Sequence, residues 1–186
     1  MRPRIRHTLL LILAVALAAG VALPFPTRAQ QPAQASAADW HEMVDHVAGT
    51  WTMTGDVLGK SAHHVVHAEW VLDRQFLRIE EKTSSDAPPD ERRYNSIWFL
   101  GYDDVSDRYV LHLLDTFGGR FSETLGYGTR DGNTIHFVFE YPDGPFHTDF
   151  AWNPQKQEWN WLMQQKDKDG NWKPFANLKL TSATPK

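Results

Sequence analysis

The segment Ser61 to Leu77 reads SAHHVVHAEWVLDRQFL and places three of the nine histidines, His63, His64 and His67, within five positions. On a helix His63 and His67 would stand one turn apart on one face and could grip a single ion. On a strand they also share a face, but at ~3.3 Å per residue they stand roughly 13 Å apart, too far for one zinc whose ligands lie ~2 Å away. Val65, Val66, Trp70, Val71 and Leu72 favour the strand. The expectation is therefore imidazoles spread along a strand, with no metal site. Alternation puts His64, Val66, Ala68, Trp70 and Leu72 on the greasier, inward face, and His63, Val65, His67, Glu69 and Val71 on the other.

Further along, the strand-like run Tyr109 to Asp115 (YVLHLLD) is apolar on both faces, so His112 has aliphatic neighbours whichever way it points. A buried imidazole needs a hydrogen-bond partner, and one facing a cavity is a ligand contact or a general base. Asp115 lies three positions on, hence on the opposite face. Trp159, Trp161 and Met163 share one face of a later segment and with Trp98 can line an aromatic slot, or fill a core. Ile135, Phe137, Phe139 and Tyr141 point inward by the same parity, as do Phe146, Thr148, Phe150 and Trp152. That sends His136, Glu140, His147 and Asp149 outward. Asp103, Asp104 and Asp107 read as a solvated acidic turn, without the length and order of a calcium loop. No G-x-S-x-G elbow, phosphate-binding glycine loop or H-E-x-x-H motif is present, and no catalytic residue is assigned.

The elements that must position these residues follow from composition and pattern. Residues 1–29 carry Arg2, Arg4 and Arg6, then an apolar run from Thr8 to Leu23, then Thr27-Arg28-Ala29, the layout of a signal peptide cleaved near Ala29. A periplasmic or secreted protein is expected. Removing four of the 19 basic residues leaves 15 against 23 acidic ones, a net charge of −8 that disfavours nucleic acid and anionic lipid. With no cysteine, the chain has no disulfide, thiolate metal site or thiol catalysis. Residues 30–38 are small and polar, a flexible tether. A short amphipathic helix follows, with Asp39 as its cap, Trp40, Met43, Val44 and Val47 as its apolar stripe, and Gly49 ending it. Strand segments lie near 50–57, 63–72, 76–82, 95–102, 108–115, 121–129, 134–141, 146–153, 158–166 and 172–181. Turn signals such as Gly118-Gly119, Asp131-Gly132-Asn133 and Asp143-Gly144 separate them. About ten sequential strands with one helix predict an all-β, antiparallel up-and-down barrel over residues 39–182, closed to remove its edges and plugged by the helix.

Gly49-Thr50-Trp51, just after the helix, resembles the G-x-W signature of lipocalin-like (calycin) barrels. Trp70-Val71-Leu72, Phe76-Leu77, Leu100-Gly101-Tyr102-Asp103 and Tyr109-Val110 resemble a bacterial calycin family of unknown function related to the nitrobindins. The resemblance implies a barrel with a cavity, and a structural Trp51 beneath the helix at the closed end. Nitrobindins read G-x-W-x-G-x-G and bind haem through a late-strand histidine. Here Met53 stands at the middle glycine position, only Gly55 matches, and His147 is the nearest late-strand histidine, so the axial role is not carried over.

The combined expectation is a barrel that binds a small apolar or amphipathic molecule in a cavity lined by Trp98, His112, Trp161, Met163, Phe139, Trp70 and Trp51. No cofactor is expected, haem being the exception that the resemblance admits. The alternatives are a cavity hydrolase or isomerase using His112 with a carboxylate, a haem protein, or an interaction module with a filled core. Nothing in the sequence indicates the oligomeric state.

Overall fold

From Gly49 onward, buried and exposed side chains alternate with period two, as they must where each strand has one dry and one wet face. In the computed structural model, which describes residues 37–183, helix α1 (Ala37–Asp45) precedes strands β1 (Gly49–Val57), β2 (Lys60–Val71), β3 (Phe76–Thr83), β4 (Asn95–Asp103) and β5 (Arg108–Asp115). A four-residue helix, α2 (Gly119–Ser122), comes next. Strands β6 (Leu125–Asp131), β7 (Thr134–Tyr141), β8 (Gly144–Asn153), β9 (Glu158–Lys166) and β10 (Trp172–Ser182) complete the chain. Each strand pairs antiparallel with the next, and β1 closes the ring on β10 through pairs such as Met53↔Leu180. The expected all-β, ten-stranded up-and-down barrel is the observed fold. The signal segment 1–29 and most of the 30–38 tether lie outside the described residues.

The helix plugs one end. Trp40, Met43, Val44 and Val47, the i, i+3, i+4, i+7 stripe, are all buried. Each such side chain contributes roughly 1.5–3 kcal/mol when fully buried. Three indoles tie the plug to the wall. Trp51 Nε1 donates to Val47 O at 2.7 Å, Trp159 Nε1 to His46 O at 3.0 Å, and Trp70 Nε1 to Asp45 Oδ1 at 2.6 Å. Asp45 also accepts from Arg74 Nη2 at 2.8 and 3.0 Å, and His41 Nε2 donates to Arg74 O at 3.0 Å. These contacts hold a turn in which Leu72, Asp73 and Arg74 all have positive φ, 50°, 53° and 63°, which costs roughly 1–2 kcal/mol per non-glycine residue.

Three local expectations are corrected. The helix begins at Ala37, so Asp39 lies inside it instead of capping it. Leu72, expected inward beside Trp70, falls in the turn after β2 ends at Val71 and is exposed. The sixth strand starts at Leu125, not 121, because Gly118 turns the chain at φ 81° into the second small helix. Gly55, the one glycine matching the resembled motif, has a packing reason: a Cβ there would lie 2.1 Å from Asn177 O on β10.

Candidate ligand site at the barrel mouth

The end of the barrel opposite α1 is built differently. The β2–β3 ladder stops at His64↔Thr83 and the β5–β6 ladder at His112↔Leu125, whereas β4–β5 pairing runs on to Ser96↔Asp115. The two longest connections at this rim are residues 84–94 between β3 and β4, and residues 116–124, which include α2, between β5 and β6.

On the inner face of the rim, β2, β3 and β4 contribute His64, Glu81 and Ser96, all buried. His64 Nδ1 donates to Glu81 Oε1 at 2.5 Å, Ser96 Oγ donates to Glu81 Oε2 at 3.0 Å, and Trp98 Nε1 donates to Ser96 Oγ at 2.8 Å. The second imidazole nitrogen, His64 Nε2, lies 3.2 Å from Glu91 Oε1, with the Glu91 side chain only 7% exposed. Glu91, carried by the 84–94 connection, also accepts from the His63 backbone N–H at 2.9 Å and from His63 Nδ1 at 3.1 Å. Burial pulls the His64 pKa down, but the hydrogen bond and charge of Glu81 and the charge of Glu91 outweigh it, so the imidazole pKa is raised. Burial pushes the Glu91 carboxyl up, but the His63 N–H groups and the two imidazoles win and hold it low. The imidazole thus stands buried between two carboxylates, the pairing that a buried charge requires.

A chain of rings leads away from His64 around the rim. Tyr94 lies over the imidazole at 5.9 Å, followed by Phe117 at 5.9 Å and Phe121 of α2 at 6.5 Å. From Phe121 the path continues to Tyr141 at 5.6 Å, to Phe146 at 6.1 Å and to Phe175 at 5.1 Å. Most of these rings are half-buried, and Phe117 is exposed. Tyr94 donates to Asp115 Oδ2 at 3.3 Å; burial and the charges of Glu81 and Asp115 raise its pKa. Burial and the Asp115 charge push Tyr141 up to about 12. Inside the collar the wall carries small side chains, Ala62 and Ala176, and two buried polar groups without a hydrogen-bond partner among the described residues, Thr148 Oγ1 and Trp161 Nε1.

The seven residues expected to line a cavity divide by depth. Phe139 and Met163 lie towards the mouth: Phe139 covers Gly126, where a Cβ would come within 2.5 Å of its ring, and Met163 pairs across from Thr148. Trp98 and Trp161 meet in the middle at 6.2 Å, but Phe150 stacks on Trp161 at 4.2 Å, so a ring occupies the expected slot. Trp51 and Trp70 belong to the plug. His112 is not with them. Leu111 takes the inward position with no exposure, and His112 stands on the outer wall, where Nε2 donates to Ser122 O at 2.7 Å. There it lines a 350 Å³ groove with Leu72, Phe76, Phe99, Val110 and Leu125. A second cleft, of 580 Å³, lies at the plugged end between His46, Trp51, Trp152 and Lys156. Neither cavity reaches a buried ion pair.

The outward parity of His63, His67, His136 and His147 holds: His136 Nδ1 meets Asp149 at 2.8 Å, and His147 stacks on Trp172 at 3.8 Å. Asp103 accepts from the backbone of Val105 and Ser106, a self-satisfied turn. Among the described residues, no group of three or more His, Asp or Glu side chains is placed to hold a metal ion, and no helix is long and apolar enough to cross a membrane.

Residues 36–181, nearly the whole described barrel, match the family described as "Protein of unknown function (DUF1579)". The chain belongs to this family. No curated protein matches it. The family's description names no activity, and a barrel hosts many, so chemistry has to be argued from the residues at the site. Of the site's polar network, the sequence marks His64 as inward-facing and Trp98 as a pocket residue, and misses Glu81, Glu91, Ser96 and Tyr94. The available signal was a charged residue on the otherwise apolar face of a strand: in β3, Leu77, Ile79 and Glu81 share one face.

Proposed function

We propose that this protein binds a small amphipathic molecule at the mouth opposite α1, its apolar part among the collar rings and its polar group at the His64–Glu81–Ser96 network. The observation that carries this reading is a fully paired but deeply buried ion pair at the inner end of an aromatic collar. Such a pair is a poor device for stability, because well-packed apolar residues in its place are commonly as stable or more so. The Thr148 hydroxyl and Trp161 N–H below the rim, without a partner among the described residues, support a polar guest, since a buried donor without a partner costs about 1–3 kcal/mol. The closed meander with a helix at one end is a calycin-like arrangement, and the suggested kinship with nitrobindins belongs to the same reading. So does export, with the mature chain beginning at Gln30.

The test is native mass spectrometry on protein recovered from a periplasmic fraction without detergent. An added organic mass is expected, absent from a His64→Leu/Glu81→Leu double variant. A wild-type protein with no added mass that also fails to take up apolar or amphipathic probes overturns the reading. The recovered mass also shows whether residues 1–29 have been removed. For a cavity hydrolase pairing His112 with a carboxylate no observation speaks, because the outer-wall groove that this ring lines is otherwise apolar. Haem finds no free inward imidazole at His64, both of whose nitrogens face carboxylates.

A further inference from the structure

Resting on the binding reading above, the structure assigns the polar group of the guest: we infer that the site takes a carboxylate in the place where Glu91 sits. The carboxylate of Glu91 is held by three nitrogen groups at once. Oε1 lies 2.9 Å from the His63 backbone N–H and 3.2 Å from His64 Nε2, while Oε2 lies 3.1 Å from His63 Nδ1. This is a two-oxygen cradle of the kind that recognises planar anions, and charge-assisted contacts of this type are the stronger ones. Glu91 is not part of the wall that supplies the cradle. It comes 28 residues later, on the connection between β3 and β4.

The charge count permits an exchange and nothing more. With Glu91 in place, His64 faces two carboxylates, Glu81 from β3 and Glu91 from the connection. A third carboxylate arriving beside Glu81 and Glu91 would leave more buried negative charge than the imidazole can balance. An incoming carboxylate is accommodated when Glu91 withdraws, and it then meets the same three nitrogens with the same net charge. The stretch that carries Glu91 is tied mainly to itself, by Glu91 N to Pro88 O at 2.9 Å, Arg93 to Ser84 O at 3.2 Å and the Ser84–Asp86 pair, while Tyr94 anchors its far end to Thr83 and Asp115 and Arg92 lies over the Phe117 ring at 4.7 Å. The remaining hold on β2 is Ser84 N to His63 O at 2.8 Å. Tyr94, at the end of the same connection, places its ring 5.9 Å from His64 and starts the aromatic collar, so the rest of the guest meets rings. The assigned ligand class is an aryl or otherwise ring-bearing monocarboxylate.

The experiment compares 1-naphthylacetate with its neutral isostere 1-naphthylacetamide by titration calorimetry on the mature chain. Wild type is expected to bind the acid weakly. Glu91→Gln, which keeps an acceptor for the His63 N–H but removes the competing charge, should tighten acid binding about tenfold or more, with the amide changed less than about twofold. Adding His64→Gln to that variant should abolish the gain. Hydrogen exchange in residues 84–94 should quicken when the acid binds, and not when the amide does. A folded Glu91→Gln protein whose acid affinity is unchanged or weaker overturns the assignment. Should Glu91→Gln fail to fold, His64→Gln alone decides: loss of acid but not amide binding supports it, and equal effects overturn it. If both probes bind every form equally, the carboxylate assignment falls and the binding reading stands. If neither probe binds any form and native protein carries no added mass, the binding reading falls with it.

Discussion

At the α1 end of the barrel, the indole N–H groups of Trp51, Trp70 and Trp159 all find acceptors on the helix or its exit, and Trp40 stacks on Tyr102 at 5.7 Å. Towards the mouth, inward positions on several strands hold Ala62, Ala176, Ser96 and Thr148 beside Phe139 and Met163, and a His64–Glu81 pair stands where the plugged end has indoles. The plugged end spends its aromatic surface on dense packing, where area removed from water converts directly into stability. The mouth keeps a collar of half-buried rings at its rim and buries an imidazole between carboxylates, an arrangement that costs desolvation. Two ends of one cylinder, closed by the same ladder, therefore answer different demands. One holds the fold, and the other is where the proposed guest would bind.

That contrast can be broken at either end. Trp159→Ala removes the fully buried indole under the plug and should cost about 3–5 kcal/mol in urea unfolding. Its effect on probe binding should come only through the fraction folded. At the mouth, Glu81→Leu leaves His64 without its main partner and should also cost about 3–5 kcal/mol, whereas His64→Leu/Glu81→Leu should return close to wild-type stability. A double variant as damaged as the single one would mean that the network is structural, like the plug, and the contrast would fail.

The pH dependence separates the ends as well. His64 is raised in the folded state, facing Glu81 on β3, Glu91 on the connection and the Tyr94 ring, with His63 sharing Glu91. A raised pKa gives stabilisation that is complete below the unfolded-state value of about 6.5 and is lost as pH rises through the folded-state value. The melting temperature of wild type should thus fall across that window more than that of His64→Gln. Parallel curves would remove the mouth's electrostatic role.

Smaller effects are expected away from both. His112→Ala should cost about 0.5–1.5 kcal/mol for its bond to Ser122 O and leave probe affinity unchanged. Asp45→Ala loosens the exposed Arg74 latch and should cost about 1 kcal/mol or less, detected as faster hydrogen exchange in α1 with no change at the mouth. A loss of binding in either variant would show that the two ends are coupled.

Much of the wall was legible because strand grammar is local. Turn residues and period-two alternation predicted the segments 134–141 and 158–166 as they are observed, and placed Phe137, Phe150 and Trp161 inward. The beginning of β6 was not legible, since Gly118-Gly119 signals a break without saying that a helical turn follows it. His112 was undecidable for a similar reason. Its strand is apolar on both faces, and the outer face is covered by Phe99, Val110 and Leu125, residues from three different strands.

Sequence by itself determined a cysteine-free, aromatic-rich chain of sequential strands with one amphipathic helix, and which side chains of each strand share a face, because these depend on neighbours one to seven residues apart. Only the tertiary structure decided which polar groups meet. His64, Glu81 and Ser96 are brought together by ladder register across 17 and 15 residues, and Glu91 by a connection that folds back across 28. Register fixes such meetings because a slip of one residue would turn each of these side chains to the opposite face, and no local pattern records which rung faces which.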